Sequence, residues 1–124
     1  MLKSADLSWV VVSDLKKARR FFTETLGLKE YSCSEEWGWA ELQGQEGGSM
    51  IGIAQENSEM PAGSNAIITI TVHNLDATIA DFKKKGVKLI GEVMEVPGHV
   101  KMQMFTDLDG NKFQIVQVLD GSKK

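Results

Sequence analysis

The chain has 124 residues, enough for one ordinary domain, and its 42% hydrophobic and 25% charged residues are typical of a globular protein rather than a disordered or fibrous one. The formal net charge of −3 argues against nucleic acid as a partner, because phosphate binding needs concentrated Lys and Arg. No apolar run reaches the roughly 20 residues that span a bilayer, and the first six residues lack the pattern of a signal peptide. Cys33 is the single cysteine, so an internal disulfide cannot form. We therefore expect a cytoplasmic protein without a membrane partner.

The charge is unevenly distributed. Residues 30–82 contain nine Asp or Glu and no Lys or Arg. Such a stretch could attract a cationic ligand, or it could simply be a solvated acidic surface.

The first half of the chain predicts one helix between short strands. An apolar, β-branched run predicts a strand over residues 7–12. Ser13 and Asp14 then offer an N-cap for a helix over residues 15–25, which Gly27 terminates. Three further extended segments follow, separated by glycine-rich turns, at residues 28–32, 37–43 and 49–55.

The second half repeats this order after a connector without periodicity. It predicts a strand over residues 66–72 and a helix over residues 75–85 that ends at Gly86. Three more strands are predicted at residues 87–94, 100–106 and 112–118.

The two halves superpose at an offset of 60 residues. This offset places Val12 on Val72, Leu15 on Leu75 and Phe22 on Phe82, while Gly27 and Gly86 match after one deletion. The chain therefore divides into repeat one (5–56), a connector (57–65) and repeat two (66–119). The pattern predicts one α+β domain over 1–124, made of two βαβββ repeats. We expect the repeats to form a cupped eight-stranded mixed sheet with the helices outside.

Two segments carry a resemblance to a known family. The run from Val12 to Phe22, which continues to Leu26-Gly27-Leu28, resembles the opening of vicinal oxygen chelate proteins, the glyoxalase, bleomycin-resistance and extradiol dioxygenase superfamily. The segment from Phe105 to Phe113 resembles the late turn of that family, with Leu108 in place of the usual proline. The resemblance covers nearly the whole chain, but the fold hosts many unrelated functions.

The resemblance also implies where a metal ion would be held. In metal-dependent members the ligands come from the first and last strand of each repeat, and the corresponding positions here are Leu7, Ile67, Gln114 and either Gly52 or Ile53. Leu, Ile and Gly have no side-chain donor atom, and one neutral amide cannot hold a divalent cation. The sequence therefore predicts a family member without a metal or other cofactor.

Strand alternation predicts which side chains line the cup instead. It places three tryptophans on the cup side together with one carboxylate and two amides: Trp9, Trp37, Trp39, Glu41, Gln103 and Gln114. Indole faces attract flat aromatic or cationic groups, so these residues form a candidate ligand site. Alternatively, the indoles fill the cup as core or form a subunit interface.

These patterns favour a metal-independent protein that binds a flat aromatic or cationic small molecule. The resemblance further implies a homodimer and a ligand such as an antibiotic, which the protein would sequester. The alternative is a glyoxalase-like lyase or isomerase with absent or relocated metal ligands. A structural or interaction role is a third possibility. Enzymatic activity is left open, and no catalytic residue is assigned.

Overall fold

The computed structural model describes residues 3, 6–58, 60–63, 65 and 67–119. The chain divides into two compact units: Met1–Asn65 with Leu108–Asn111 form the first unit, and Ala66–Asp107 with Lys112–Lys124 form the second. The predicted starts of the two repeats, Ala5 and Ala66, lie outside the described residues.

The first unit contains one helix and a four-stranded mixed sheet. Helix α1 spans Leu15–Arg20 and continues as a π-helical segment, Phe21–Thr25. The sheet has the strand order β1-β4-β3-β2, with β1 parallel to β4; its strands are β1 (Leu7–Val12), β2 (Lys29–Ser34), β3 (Trp39–Gly44) and β4 (Gly47–Gln55).

One face of this sheet forms the core of the first unit. Alternate residues on β1, β3 and β4 are fully buried, together with Phe22 of the helical segment: Val10, Val12, Ala40, Leu42 and Ile53. Apolar burial of this kind is the main stabilising contribution to such a unit. The alternating residues on the opposite face include Trp9, Trp39 and Glu41.

The late turn, Leu108–Asn111, belongs to the first unit. Buried Asn111 donates from Nδ2 to the Val11 carbonyl oxygen at 2.9 Å, and Asp109 accepts from the Ser13 N–H at 3.0 Å. The polar residues of this turn therefore hold the end of β1 and the entry to α1.

The second unit has the same order of elements. Its helix α2 spans Leu75–Lys84, and its sheet has the order β5-β8-β7-β6 with β5 parallel to β8; the strands are β5 (Ile68–Thr71), β6 (Lys88–Val96), β7 (Val100–Thr106) and β8 (Lys112–Val118). Its core residues include Leu75, Phe82, Phe105, Phe113 and Ile115.

The α+β class and the two βαβββ repeats are thus confirmed, with the strands hydrogen-bonded as two sheets of four. The helix starts and the positive φ of Gly27 and Gly86 agree with the sequence. The end of the first helix was predicted as α-helical but is π-helical, since the Leu26 N–H bonds to the Phe21 carbonyl oxygen five residues back. The described part of the connector contains no helix or strand.

A pair of glutamines marks the repeat in a way that the sequence comparison missed. Gln55, at the end of β4, accepts a hydrogen bond from the Leu15 N–H and donates to the Ser13 carbonyl oxygen. Gln117, on β8, accepts in the same way from the Leu75 N–H at 2.7 Å. Each helix start is therefore tied to the last strand of its own repeat. The matching Ile-x-Gln triplets at residues 53–55 and 115–117 were the signal.

Candidate functional site

Two tryptophans meet on the side of the first sheet that lies opposite the core. Trp9 on β1 and Trp39 on β3 contact edge to face, with ring centroids 5.7 Å apart and planes at 69°. We call this surface the tryptophan face; it also carries Leu7, Glu41 and Gly52. Trp9 remains 45% exposed, so this indole is available for contact with another molecule.

Gly52 makes room for the Trp39 ring. The strand register places Gly52 on β4 between Trp9 and Glu41. An ideal Cβ on Gly52 would lie only 2.3 Å from Cη2 of Trp39 and 2.9 Å from Cβ of Trp9. The benzene ring of Trp39 thus occupies the space that a side chain at position 52 would need.

Glu41 holds the other end of the same indole. The Trp39 Nε1–H donates to Oε2 of Glu41 at 2.9 Å, and both side chains are half-buried. A carboxylate acceptor makes this bond stronger than a neutral one. Trp39 is consequently held by a charge-assisted hydrogen bond, by the Trp9 edge contact and by close approach to the backbone.

Trp37 does not lie on a strand, contrary to the prediction. It belongs to the turn between β2 and β3, because β3 begins only at Trp39, and its side chain is 80% exposed. The turn includes Gly38, whose φ of +63° strains any other residue, and whose carbonyl oxygen accepts from the Gln55 N–H. Strand alternation therefore cannot be used to place Trp37 on the tryptophan face.

The second sheet presents a face of different chemistry. Its register puts Thr69, Gln114, Met104 and Ile90 in one row across four strands, and the methionine pair Met94 and Met102 in the next row. Gln114 is half-buried, and its Nε2 lies 3.4 Å from Oγ1 of Thr69. We call this surface the methionine face; it is mainly apolar, and its polar groups include the amide of Gln114 and the hydroxyl group of Thr69.

Gln103 lies on the opposite side of that sheet, which corrects its predicted place beside Gln114. It pairs with buried Ile115, whereas Gln114 pairs with Met104, and Gln103 is only 3% exposed. Its Nε2 donates to the carbonyl oxygens of Ile90, Gly91 and Met104, at the bulge of β6. Its amide satisfies backbone groups that the bulge leaves unpaired, so Gln103 has a structural role.

The four positions that the resemblance assigns to metal ligands can now be tested. Thr69 pairs with Gln114 as Trp9 pairs with Gly52, so Gly52, not Ile53, is the equivalent of Gln114. Leu7 and Ile67 are hydrocarbon side chains, and the space at Gly52 is filled by an indole. These residues do not fit a divalent metal ion. Among the described residues, no group of three or more His, Cys, Asp and Glu is placed to hold one.

A separate cavity of about 240 Å³ lies beside the start of α1, lined in part by Asp14, Lys16 and Arg19. Arg19 makes a two-point ion pair with Glu30, at 2.8 and 2.9 Å. This hydrogen-bonded pairing lowers the pKa of Glu30 and raises the pKa of Arg19. The polar groups of Arg19 and Gln55 in this cavity already have protein partners.

The fold and the site together define a class of protein. It has two βαβββ repeats, and an aromatic surface lies where metal-dependent relatives would place side chains that bind the metal ion. The chain belongs to the Glyoxalase/Bleomycin resistance protein/Dioxygenase superfamily, whose family model matches residues 5–115. No curated protein sequence matches it significantly. No helix within the described residues is long and apolar enough to cross a membrane.

Solved structures of the same fold include antibiotic-related proteins. The chain is similar to TnmS3, an antibiotic-binding protein from Streptomyces sp. CB03234, with a TM-score of 0.80 and 25% identity over 94% of this chain and 97% of that one. A glyoxalase/bleomycin resistance protein from the same strain matches with a TM-score of 0.77 and 26% identity, over 90% and 98% of the two chains. The fosfomycin resistance protein FosX from Listeria monocytogenes, in complex with Mn(II) and sulfate, shares the fold at 19% identity, with a TM-score of 0.72 over 97% and 93%.

Proposed function

We propose that this chain is a metal-independent small-molecule-binding protein that sequesters a flat aromatic or cationic compound such as an antibiotic. The observation that carries the proposal is the pair of indoles formed by exposed Trp9 and half-buried Trp39, set over Gly52. A core tryptophan would be buried, and the 45% exposure of Trp9 favours a surface that receives a ligand.

The chemistry of this surface supports a flat ligand. An indole face stacks on aromatic rings and attracts cations, and the Glu41 carboxylate adds a negative charge beside it. The acidic stretch over residues 30–82 has the same sign. Similarity to TnmS3, an antibiotic-binding protein, supports the same class of ligand.

The methionine face supplies a second surface suited to small molecules. Methionine side chains adapt to irregular apolar shapes and make favourable contacts with aromatic rings. Gln114 and Thr69 offer hydrogen-bonding groups that could orient a ligand. Gln114 is a proposed ligand contact of the methionine face, whereas the burial of Gln103 removes it from the proposed contacts.

The test is a titration of intrinsic tryptophan fluorescence with a panel of flat aromatic and cationic compounds. We expect at least one compound to quench or shift the emission, and Trp9→Ala to abolish that change. The control is Tyr31→Ala, which removes a 69% exposed aromatic side chain from β2. Absence of any response in the unaltered protein would overturn the proposal.

Metal independence and dimerisation are tested on the same preparation. Elemental analysis should find no stoichiometric divalent metal, and ligand binding should survive treatment with a chelator. A bound metal at one per chain would instead favour a glyoxalase-like lyase or isomerase with relocated ligands. We further propose that the chain forms a homodimer. Light scattering should then give the mass of two chains, and a monomeric mass would contradict this.

A further inference from the structure

Glu41 has a hydrogen-bond partner within the protein before any ligand arrives. Its Oε2 accepts the Trp39 Nε1–H at 2.9 Å, and the two residues are neighbours on the same face of β3. The Glu41 carboxylate therefore restrains the Trp39 indole through this hydrogen bond, in addition to placing a negative charge beside it. Glu41 can therefore affect ligand binding indirectly, by fixing the position of the Trp39 indole.

The indole that Glu41 holds has little freedom on its other sides. The benzene ring of Trp39 lies directly over Gly52, and the ring of Trp9 packs against it edge to face at 5.7 Å. Removing the hydrogen bond to Glu41 would let the Trp39 ring move within the space that these two contacts leave to it. A ligand would then have to pay the ordering cost of the ring on binding.

We propose that Glu41 is a positioning residue, which fixes the Trp39 indole so that the tryptophan face recognises a flat aromatic ring by shape and stacking, with no requirement for positive charge on the ligand. This inference rests on the proposed function and deepens it, because it selects the aromatic ring over the cation as the recognised feature. A preorganised corner of two indoles inclined at 69° presents one ring plane to stack on and a second to enclose the edge.

Two substitutions separate positioning from charge. Glu41→Gln removes the charge but keeps an oxygen that can accept the indole N–H, whereas Glu41→Leu keeps a similar volume and removes the acceptor. The probes are acridine, which is uncharged in mildly alkaline buffer, and N-methylacridinium, a permanent cation of nearly the same shape. Dissociation constants are measured by tryptophan quenching with both probes and all variants.

The expected result is that Glu41→Gln binds each probe within about threefold of the unaltered protein, while Glu41→Leu binds both about tenfold more weakly, the effect of one lost hydrogen bond. Glu95→Gln and Glu95→Leu make the same chemical changes at an exposed residue of β6, which pairs with Lys101 and lies on the opposite side of the strand from Met94, and they should alter neither constant. The proposal is overturned if Glu41→Gln loses affinity for the cation alone, or if Glu41→Leu binds both probes normally.

A measurement without ligand separates this inference from the proposed function. The Nε1–H resonance of Trp39 should exchange slowly with solvent in the unaltered protein and in Glu41→Gln, and rapidly in Glu41→Leu. If neither probe binds the unaltered protein, the proposed function fails and the recognition of a flat ring fails with it. Unchanged exchange in Glu41→Leu would refute the positioning role whether or not any ligand binds.

Discussion

Replacing Gly52 by alanine adds one methyl group at the most crowded point of the tryptophan face. The new Cβ would lie 2.3 Å from Cη2 and 2.6 Å from Cζ2 of Trp39, and 2.9 Å from Cβ of Trp9. The φ of Gly52 is not in the left-handed region, so the backbone itself accepts an alanine. The predicted effect is therefore purely steric.

The size of the effect follows from these distances. Two carbon atoms pack best at about 3.5–4.0 Å, so the Trp39 ring must move by about 1 Å or more. That movement strains the 2.9 Å bond to Glu41. Overpacking costs about 1–3 kcal/mol, and replacing a strand glycine returns about 0.5–1 kcal/mol. We expect a net loss of about 1–2 kcal/mol in the free energy of unfolding.

A double-mutant cycle measured by urea denaturation tests this reasoning. Gly52→Ala, Trp39→Ala and the double variant are compared with the unaltered protein. In the Trp39→Ala background the same methyl group should cost clearly less, because the ring that it strikes is gone and only the 2.9 Å approach to Cβ of Trp9 remains. An equal cost in both backgrounds, or no cost in either, would refute the placement of Trp39 over Gly52.

Three further predictions concern groups outside the tryptophan face. Gln55→Leu and Gln117→Leu should each lower the free energy of unfolding by about 1–3 kcal/mol, since each leaves a helix-start N–H without its acceptor, and urea denaturation should show Gln55→Leu as the costlier change. The pKa of Glu30 is lowered in the folded state by its hydrogen-bonded ion pair with Arg19. The contribution of Glu30 to the free energy of unfolding is therefore present above its unfolded pKa of about 4.3, and it is lost as the pH falls through the lower folded pKa. Acid titration of stability should be less steep in Glu30→Gln, and an identical profile would contradict the pairing. Gln103→Leu should speed amide hydrogen exchange around the bulge of β6 and cost about 2–3 kcal/mol, whereas unchanged exchange would contradict the bridging role of its amide.

The repeat was the strongest information in the sequence. Paired apolar positions such as Leu15 and Leu75 identified two βαβββ units, and both residues are buried in the structure. Glycine stops were equally reliable, because Gly27 and Gly86 adopt the positive φ that ends a helix at low cost. Local stereochemistry and apolar periodicity act within a few residues, so a sequence expresses them directly.

The candidate site was predicted in part. Alternation along β1 and β3 correctly placed Trp9, Trp39 and Glu41 on the side opposite the core, since a strand alternates wherever its residues are truly extended. The same rule misplaced Trp37, which lies in a turn, and Gln103, which was put beside Gln114 without knowledge of the pairing between β7 and β8. A shift of one residue in register changes the face of every side chain.

The sequence by itself determined the fold class, the family and the absence of ligand side chains at Leu7, at Ile67 and at either Gly52 or Ile53, because residue identity and spacing are enough to establish them. The tertiary structure alone decided what replaces those side chains. Gly52 appears in the sequence as a missing ligand, but the packing shows it as the space into which Trp39 fits, held by Glu41 and Trp9. That relation joins residues on three strands, and no local pattern specifies how the side chains of paired strands pack across a sheet.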